Sequence, residues 1–240
     1  MGTVVTDLVK AQPNMEIVAG IDVHQSDRPY PIYESLSACT TEADVIIDFS
    51  SPQSVRTMLP AAVERKLPLV IATTGLSEDD LAIVNKSAQQ IPIFRSGNMS
   101  LGINLLQQLL KRAAQVLGTS FDVEIIEKHH NQKKDAPSGT ALMLADAIGE
   151  AREEELSYVY GRSGVDAQRK QGELGIHAIR GGTIVGQHEV IFAGPDEMIT
   201  IGHQAFSRQV FATGAIAAAR YLVTQQPGMY NMQDMLSTSA

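Results

Sequence analysis

The sequence predicts an α/β chain in which a doubly wound parallel sheet is joined to a smaller α+β unit. Three observations carry that prediction. Over the first hundred residues, short β-branched runs alternate with helical stretches, the pattern of a parallel sheet covered on both faces. Beyond residue 100 the alternation gives way to successive strand-like runs separated by Gly and Pro turns, as in an antiparallel or mixed sheet with helices on one side. An alanine-rich stretch from Phe206 to Val223 then reads as a final helix.

Element by element, Ile17 to Asp22, Val45 to Phe49, Leu69 to Ala72 and Ile91 to Phe94 read as strands. Helices fall between them at Ser54 to Lys66 and Glu78 to Gln90, the first started by Ser51-Pro52 as N-cap and first turn. Ligands of such sheets gather at the carboxyl ends of strands, where Asp22, Ser50, Thr73-Thr74-Gly75 and Ser96-Gly97-Asn98 lie. A helix from Gly102 to Leu117 leads to an alternating strand, Phe121 to Glu127, and a helix from Ser138 to Arg152. Strands follow at Ile176 to Arg180, Thr183 to Phe192 and Met198 to Gln204. Gln225 to Ala240 is a polar, Met-rich tail with no assigned element.

Composition narrows the function. The 240 residues are 44% hydrophobic, enough for real cores, and carry a formal charge of −8, which opposes a general nucleic-acid binder. Against that balance a cluster of His129, His130, Lys133, Lys134 and Arg208 is informative. Cys39 is the only cysteine, so no intrachain disulfide or cysteine-based metal site is expected. No apolar run approaches the ~18 residues of a membrane span and no signal peptide opens the chain, so a cytoplasmic protein with no membrane partner is expected. His177, His188 and His203 fall on separate strands and read as core or surface histidines rather than a zinc site, and no metal is expected.

The most informative segment runs from Glu127 to Ala141, Glu-Lys-His-His-Asn-Gln-Lys-Lys-Asp-Ala-Pro-Ser-Gly-Thr-Ala. It places His129, His130 and Lys133 just ahead of a helix start at Ser138-Gly139-Thr140, whose free N–H groups and partial positive charge suit a carboxylate or phosphate. Proton donors and an anion cradle thus share one segment. Taken singly, the Ser-Gly-Thr is a helix cap and the two lysines a solvated face; the ordered run is what raises them above that.

This run resembles the signature of the dihydrodipicolinate reductase (4-hydroxy-tetrahydrodipicolinate reductase) family. Asp48-Phe49-Ser50, Ala72-Thr73-Thr74-Gly75, Ser96 to Asn104, Ile179-Arg180-Gly181-Gly182 and Ser207-Arg208 are similar to that family in order and spacing, from Met1 to about Leu222. The resemblance implies a Rossmann-like dinucleotide-binding domain at residues 1–100 with 207–240, and a substrate-binding and oligomerisation domain at 101–206. It also implies an oxidoreductase of lysine and diaminopimelate biosynthesis that uses NADH or NADPH on a small cyclic dicarboxylate, assembled as a homotetramer.

By the same resemblance His129 is the acid/base residue and Lys133 the proton donor, while His130, Ser138, Gly139 and Thr140 hold the substrate carboxylate. Arg208 could support that region, although alone it reads as a solvated helix-end arginine. Met1, Gly2, Asp22, Ser50, Ala72, Thr73, Thr74, Ser96, Gly97, Asn98 and Met99 form the cofactor side. Asp22 can accept both ribose hydroxyls and would repel a 2′-phosphate. Val23 stands where many relatives have an arginine, so NADH is the expected preference, with His24 a partial substitute that keeps NADPH open. Met99 replaces a common aromatic residue.

The family normally opens with a strand and a Gly-x-x-Gly-x-Met-Gly turn. Met1-Gly2 match the last two residues of that turn and Thr3 to Ala11 the helix after it, so the first, central strand is expected to be missing. Its loss would leave two unpaired edges inside the sheet and remove part of the phosphate cradle. Either a longer protein was entered at an internal methionine, or the 240-residue chain binds nicotinamide cofactors weakly. A catalytically silent relative that serves as an oligomeric small-anion binder, and a two-domain dehydrogenase of another amino-acid intermediate, are the alternative readings.

Overall fold

Apolar runs of three or four residues build the first sheet. In a computed structural model that describes residues 1–24, 26–152 and 155–238, the chain forms one unit of Met1–Leu101 with Gln209–Ala240 and another of Gly102–Arg208. Elements of the first unit are α1 (Gly2–Lys10), β1 (Gly20–Ile21), β2 (Ile32–Tyr33), β3 (Ile46–Asp48), α2 (Pro52–Glu64), β4 (Leu69–Ile71), α3 (Glu78–Ala88) and β5 (Pro92–Arg95). The second unit holds α4 (Leu101–Leu117), β6 (Asp122–His129), α5 (Gly139–Arg152), β7 (Ser157–Val159), β8 (Glu173–Arg180), β9 (Gly186–Ala193) and β10 (Met198–Ala205). The chain then completes the first unit with α6 (Gln209–Leu222), β11 (Gly228–Tyr230) and α7 (Met232–Thr238).

The first unit's main sheet has the order β11-β5-β4-β3, all parallel. Alternation sends Leu69, Ile71 and Ile93 into a core with α2 and α3, while Val70 and Phe94 face α6 and α7. Helices therefore cover both faces, as a doubly wound sheet requires. The helix starts are set locally: Ser51 Oγ accepts the Ser54 N–H at 3.3 Å with Pro52 in the first turn, and Ser77 and Asp80 form a reciprocal capping box.

Pairing is interrupted as expected, because β1 pairs only with β2 in a separate two-stranded sheet and β3 only with β4. The strand expected over Ile17 to Asp22 shrinks accordingly to Gly20–Ile21, since a strand with one short partner keeps few ladder bonds. The tail is also more ordered than its composition suggests. Met232 and Met235 are buried against Phe94 and Ala219, and that burial, rather than any local propensity, holds β11 on the edge of the sheet beside β5. No helix among the described residues is long and apolar enough to cross a membrane.

The second unit is a five-stranded mixed sheet in the order β10-β9-β6-β8-β7. Val123, Ile125, Leu174, Ile176, Val190 and Phe192 point to one face, where Ile103, Leu106 and Leu110 of α4 and Leu144 and Ile148 of α5 pack on them. On the other face Glu124 gathers hydrogen-bond donors. Its carboxylate accepts from Arg162 at 2.8 Å, from His177 at 2.8 Å and from Arg169. Gly175 on the neighbouring strand makes room, since a Cβ there would fall 1.8 Å from Glu124 Oε2. These bonds fasten the long connection between β7 and β8 to the sheet.

Candidate active site

Strand alternation puts Glu127 and His129, two residues apart on β6, on the same face of the second sheet as the core. Register brings their neighbours: Arg180 of β8 stands opposite His129, and His188 of β9 opposite Glu127. Glu127 is fully buried. Its Oε2 lies 2.6 Å from His129 Nδ1 and accepts from Arg180 at 2.8 Å, while Oε1 accepts from Arg180 at 2.7 Å and from the Ser138 backbone N–H at 2.9 Å. Burial alone would raise the Glu127 carboxyl's proton affinity; the Arg180 fork, His129 and the Ser138 N–H outweigh it and hold the group below its ordinary value. A bidentate guanidinium–carboxylate pair of this kind is a strong, geometrically specific contact.

Past β6 the ladder persists briefly, with Gly181 N–H on His129 O and Asn131 N–H on Gly182 O. The chain then turns through His130 to Asp135, where Lys133 Nζ donates to Asp135 Oδ1 at 2.8 Å. That pair lowers the Asp135 pKa. The Arg180 guanidinium also donates to the Asp135 carbonyl at 2.8 Å. A cis Ala136–Pro137 bond leads into α5. Ser138 caps the helix by accepting the Ala141 N–H at 3.2 Å, and its hydroxyl meets His188 Nε2 at 3.0 Å. Ser138 is buried, so it shapes the helix start from beneath, whereas Gly139 is exposed with open space around its Cα.

The ring of His129 packs edge-on to that of His188, with centroids 5.2 Å apart. Burial depresses the His129 pKa and pushes that of His188 down to about 4. A Cβ at Gly186 would come within 3.1 Å of His129 Nε2, so the missing side chain keeps that nitrogen clear. His130 is half-buried on the turn, and Arg208 is exposed ahead of α6.

In the first unit the expected cofactor residues sit at strand ends. Asp22, exposed after β1, accepts the His24 N–H at 2.9 Å. Ser50 and Thr73 converge on Asp48, which accepts from Thr73 Oγ1 at 2.6 Å and from the Ser50 N–H at 3.1 Å. These bonds tie together the loops after β3 and β4 that carry Ala72 and Thr74. After β5, Ser96 Oγ donates to the Asn98 carbonyl at 2.8 Å, which leaves Gly97 exposed at the tip. Met99 is 3% exposed and lies in the core with Val70 and Phe94. Met1 precedes α1, accepting the Val5 N–H at 3.1 Å, with Gly2 exposed beside it.

Residues 102–236 match the family model described as dihydrodipicolinate reductase, C-terminus, and residues 1–99 match its N-terminus counterpart. The chain belongs to the dihydrodipicolinate reductase family. It is 56% identical over 236 residues to the 4-hydroxy-tetrahydrodipicolinate reductase of Caldanaerobacter subterraneus subsp. tengcongensis, covering 98% of this chain and 94% of that one. The enzyme of the same name from Clostridium tetani is 49% identical, over 99% and 93% of the two chains. Among solved structures, dipicolinate-bound dihydrodipicolinate reductase from Paenisporosarcina sp. TG-14 superposes with a TM-score of 0.78 at 25% identity, covering 96% of this chain and 92% of that one. A probable dehydrogenase from Thermotoga maritima shares the fold, with a TM-score of 0.61 at 13% identity.

Four residues of these sites escape a reading of the sequence alone. Glu127 and Arg180 stand inside motifs but carry no role there, and His188 looks like an ordinary core histidine. Asp48 likewise stands beside Ser50 without an assigned part. Alternation along β6 could have paired Glu127 with His129; the other contacts depend on strand register.

Proposed function

We propose that this chain is a 4-hydroxy-tetrahydrodipicolinate reductase, reducing 4-hydroxy-tetrahydrodipicolinate to tetrahydrodipicolinate with a nicotinamide cofactor in lysine and diaminopimelate biosynthesis. The observation that carries the reading is the meeting of His129, the Lys133 turn and the start of α5 around one strand end. A helix start offers backbone donors to a carboxylate, so Gly139 and Thr140, with His130, hold the substrate's acid group. Arg208 adds positive charge to that role.

His129 and Lys133 handle the proton that an enamine product must gain on carbon. Lys133 is held by an exposed carboxylate, a contact worth little in water, so a bound dianion can compete for the ammonium group. When bound, the cofactor supplies hydride. The residues suit it: Asp22 presents an exposed carboxylate after β1 for ribose hydroxyls, and Ser50, Thr73, Thr74 and Ser96 to Asn98 line strand-end loops. Val23 is exposed and offers no cation to a 2′-phosphate, which favours NADH over NADPH. The open face of the second sheet, with Ile179 and Met198 exposed, suits assembly as a homotetramer in the cytoplasm.

A steady-state assay with the lysine-pathway imine and NADH tests the activity. Turnover that falls in His129→Gln and Lys133→Ala while cofactor affinity holds is the expected result. Undiminished turnover in both variants removes these roles.

A further inference from the structure

We propose that Glu127 and Arg180 are a pair of positioning residues: they lock His129 in the tautomer that points a bare Nε2 away from the pair, and they tether the turn carrying Lys133 to the same guanidinium. The proposal deepens the reading of His129 and Lys133 as proton-handling groups and rests on it.

The first part follows from counting acceptors. A carboxylate has about four lone-pair sites. On Glu127, Arg180 fills two, the Ser138 N–H one and His129 Nδ1 the last. Arg180 and a backbone amide can only donate, and with them Glu127 is held ionised despite its burial, so it is an acceptor throughout. The hydrogen in the contact with His129 is therefore on Nδ1. In the neutral ring Nε2 is then left as the free base, beside the space that Gly186 keeps open. The Arg180 fork and the Ser138 N–H favour the ionised carboxylate, so Glu127 orients the ring and does not take its proton.

The second part concerns charge. A buried carboxylate against an imidazole ordinarily favours the imidazolium. Here burial of the ring opposes that, and the guanidinium of Arg180, bonded to both carboxylate oxygens, offsets the carboxylate's charge. The other groups facing the ring are His188 from β9 and Lys133 from the turn, and neither adds negative charge. The resting ring is neutral, ready to take a proton when a dianionic ligand arrives. The third part is mechanical. Arg180 holds the Asp135 carbonyl while the Asp135 carboxylate holds Lys133, so one side chain fixes the spacing between the imidazole and the ammonium group.

Histidine-ring nitrogen NMR on the free 240-residue chain tests this, with His129→Asn used to assign the signal. The expected wild-type spectrum above neutral pH has a protonated Nδ1 and a bare Nε2 on His129. In Arg180→Met the titration midpoint of His129 should rise by about one pH unit, a tenfold gain in proton affinity, and Arg180→Lys should return most of it. A purely structural role would cost stability without moving that midpoint. The opposite tautomer in the wild type, or an unmoved midpoint in a folded Arg180→Met, overturns the proposal. If Arg180→Met does not fold, the wild-type tautomer decides alone. These readouts need no turnover, so failure of the catalytic roles, seen as unchanged turnover in His129→Gln, is a separate result.

Discussion

The hydroxyl of Ser138 lies 3.0 Å from His188 Nε2 while accepting the Ala141 N–H at 3.2 Å, so one buried oxygen joins strand β9 to the first turn of α5. Losing an N-cap costs roughly 1 kcal/mol, and stranding a buried polar partner costs roughly 1–3 kcal/mol more. Ser138→Ala is therefore expected to lower unfolding free energy by about 2–4 kcal/mol in urea titrations at pH 7.5. A loss below about 1 kcal/mol would mean that His188 finds other company.

Acid should weaken this fold through His188. Its folded pKa is about 4 against 6.5 for an ordinary ring, so the unfolded chain binds a proton that the folded chain refuses between those values. Stability from this group is complete above about pH 7, falls as pH drops through 6.5, and levels off near pH 4. The shift corresponds to roughly 3 kcal/mol. Depression of the His129 pKa acts in the same direction. Urea midpoints recorded from pH 7.5 to 4.5 should show the slope, and His188→Gln should flatten it.

Gly186 is a test of space around His129. An added Cβ would sit 3.1 Å from Nε2, a distance at which the ring must give way. Misplacement of a catalytic group by even an ångström can cost about a hundredfold in rate. We expect Gly186→Ala to fold with stability within about 1 kcal/mol of the parent and, with the ring displaced by a few tenths of an ångström, to lose about two- to tenfold in kcat. Stopped-flow assays beside thermal melts separate the two effects.

In α6 the usual rule for glycine should invert. Replacing a mid-helix glycine by alanine normally stabilises by about 1 kcal/mol. At Gly214 the new Cβ would land 1.6 Å from the Met99 carbonyl oxygen, a backbone atom. Gly214→Ala is expected to destabilise by more than about 3 kcal/mol, measured by chemical denaturation, because the loop after β5 must move away from the helix.

Cofactor choice gives a further test at Val23. An arginine there would offer a guanidinium to a 2′-phosphate near Asp22, and a charge-assisted contact is worth roughly 1.5–3 kcal/mol. Val23→Arg should tighten NADPH binding by about tenfold or more while NADH binding changes little. Fluorescence titration of each cofactor distinguishes that outcome from an indifferent site.

What was legible in the sequence was whatever local pattern controls. Alternation through Phe121 to Glu127 and the Ser-Gly-Thr start located the strand end and helix start that frame the site. Ser51-Pro52 likewise located the start of α2. What was not legible depends on pairing between distant segments. Arg180 reaches Glu127 only because β8 lies parallel to β6 in one register, and His188 only because β9 lies antiparallel on the other side. A two-residue slip in either would leave the sequence pattern untouched and dissolve the site. The short β2 and the packed tail are hidden for a related reason: Ile32-Tyr33 and Gly228 to Tyr230 gain order from partners that the local sequence does not announce.

Gly175 makes room for Glu124, which with Asp122 and Glu173 latches Arg162 and Arg169 of the span from residue 160 to 172 onto the sheet, while Val165 stays fully solvent-accessible. A flap secured by ions instead of grease answers to ionic strength. In concentrated salt, protease cutting should rise in this span ahead of either core.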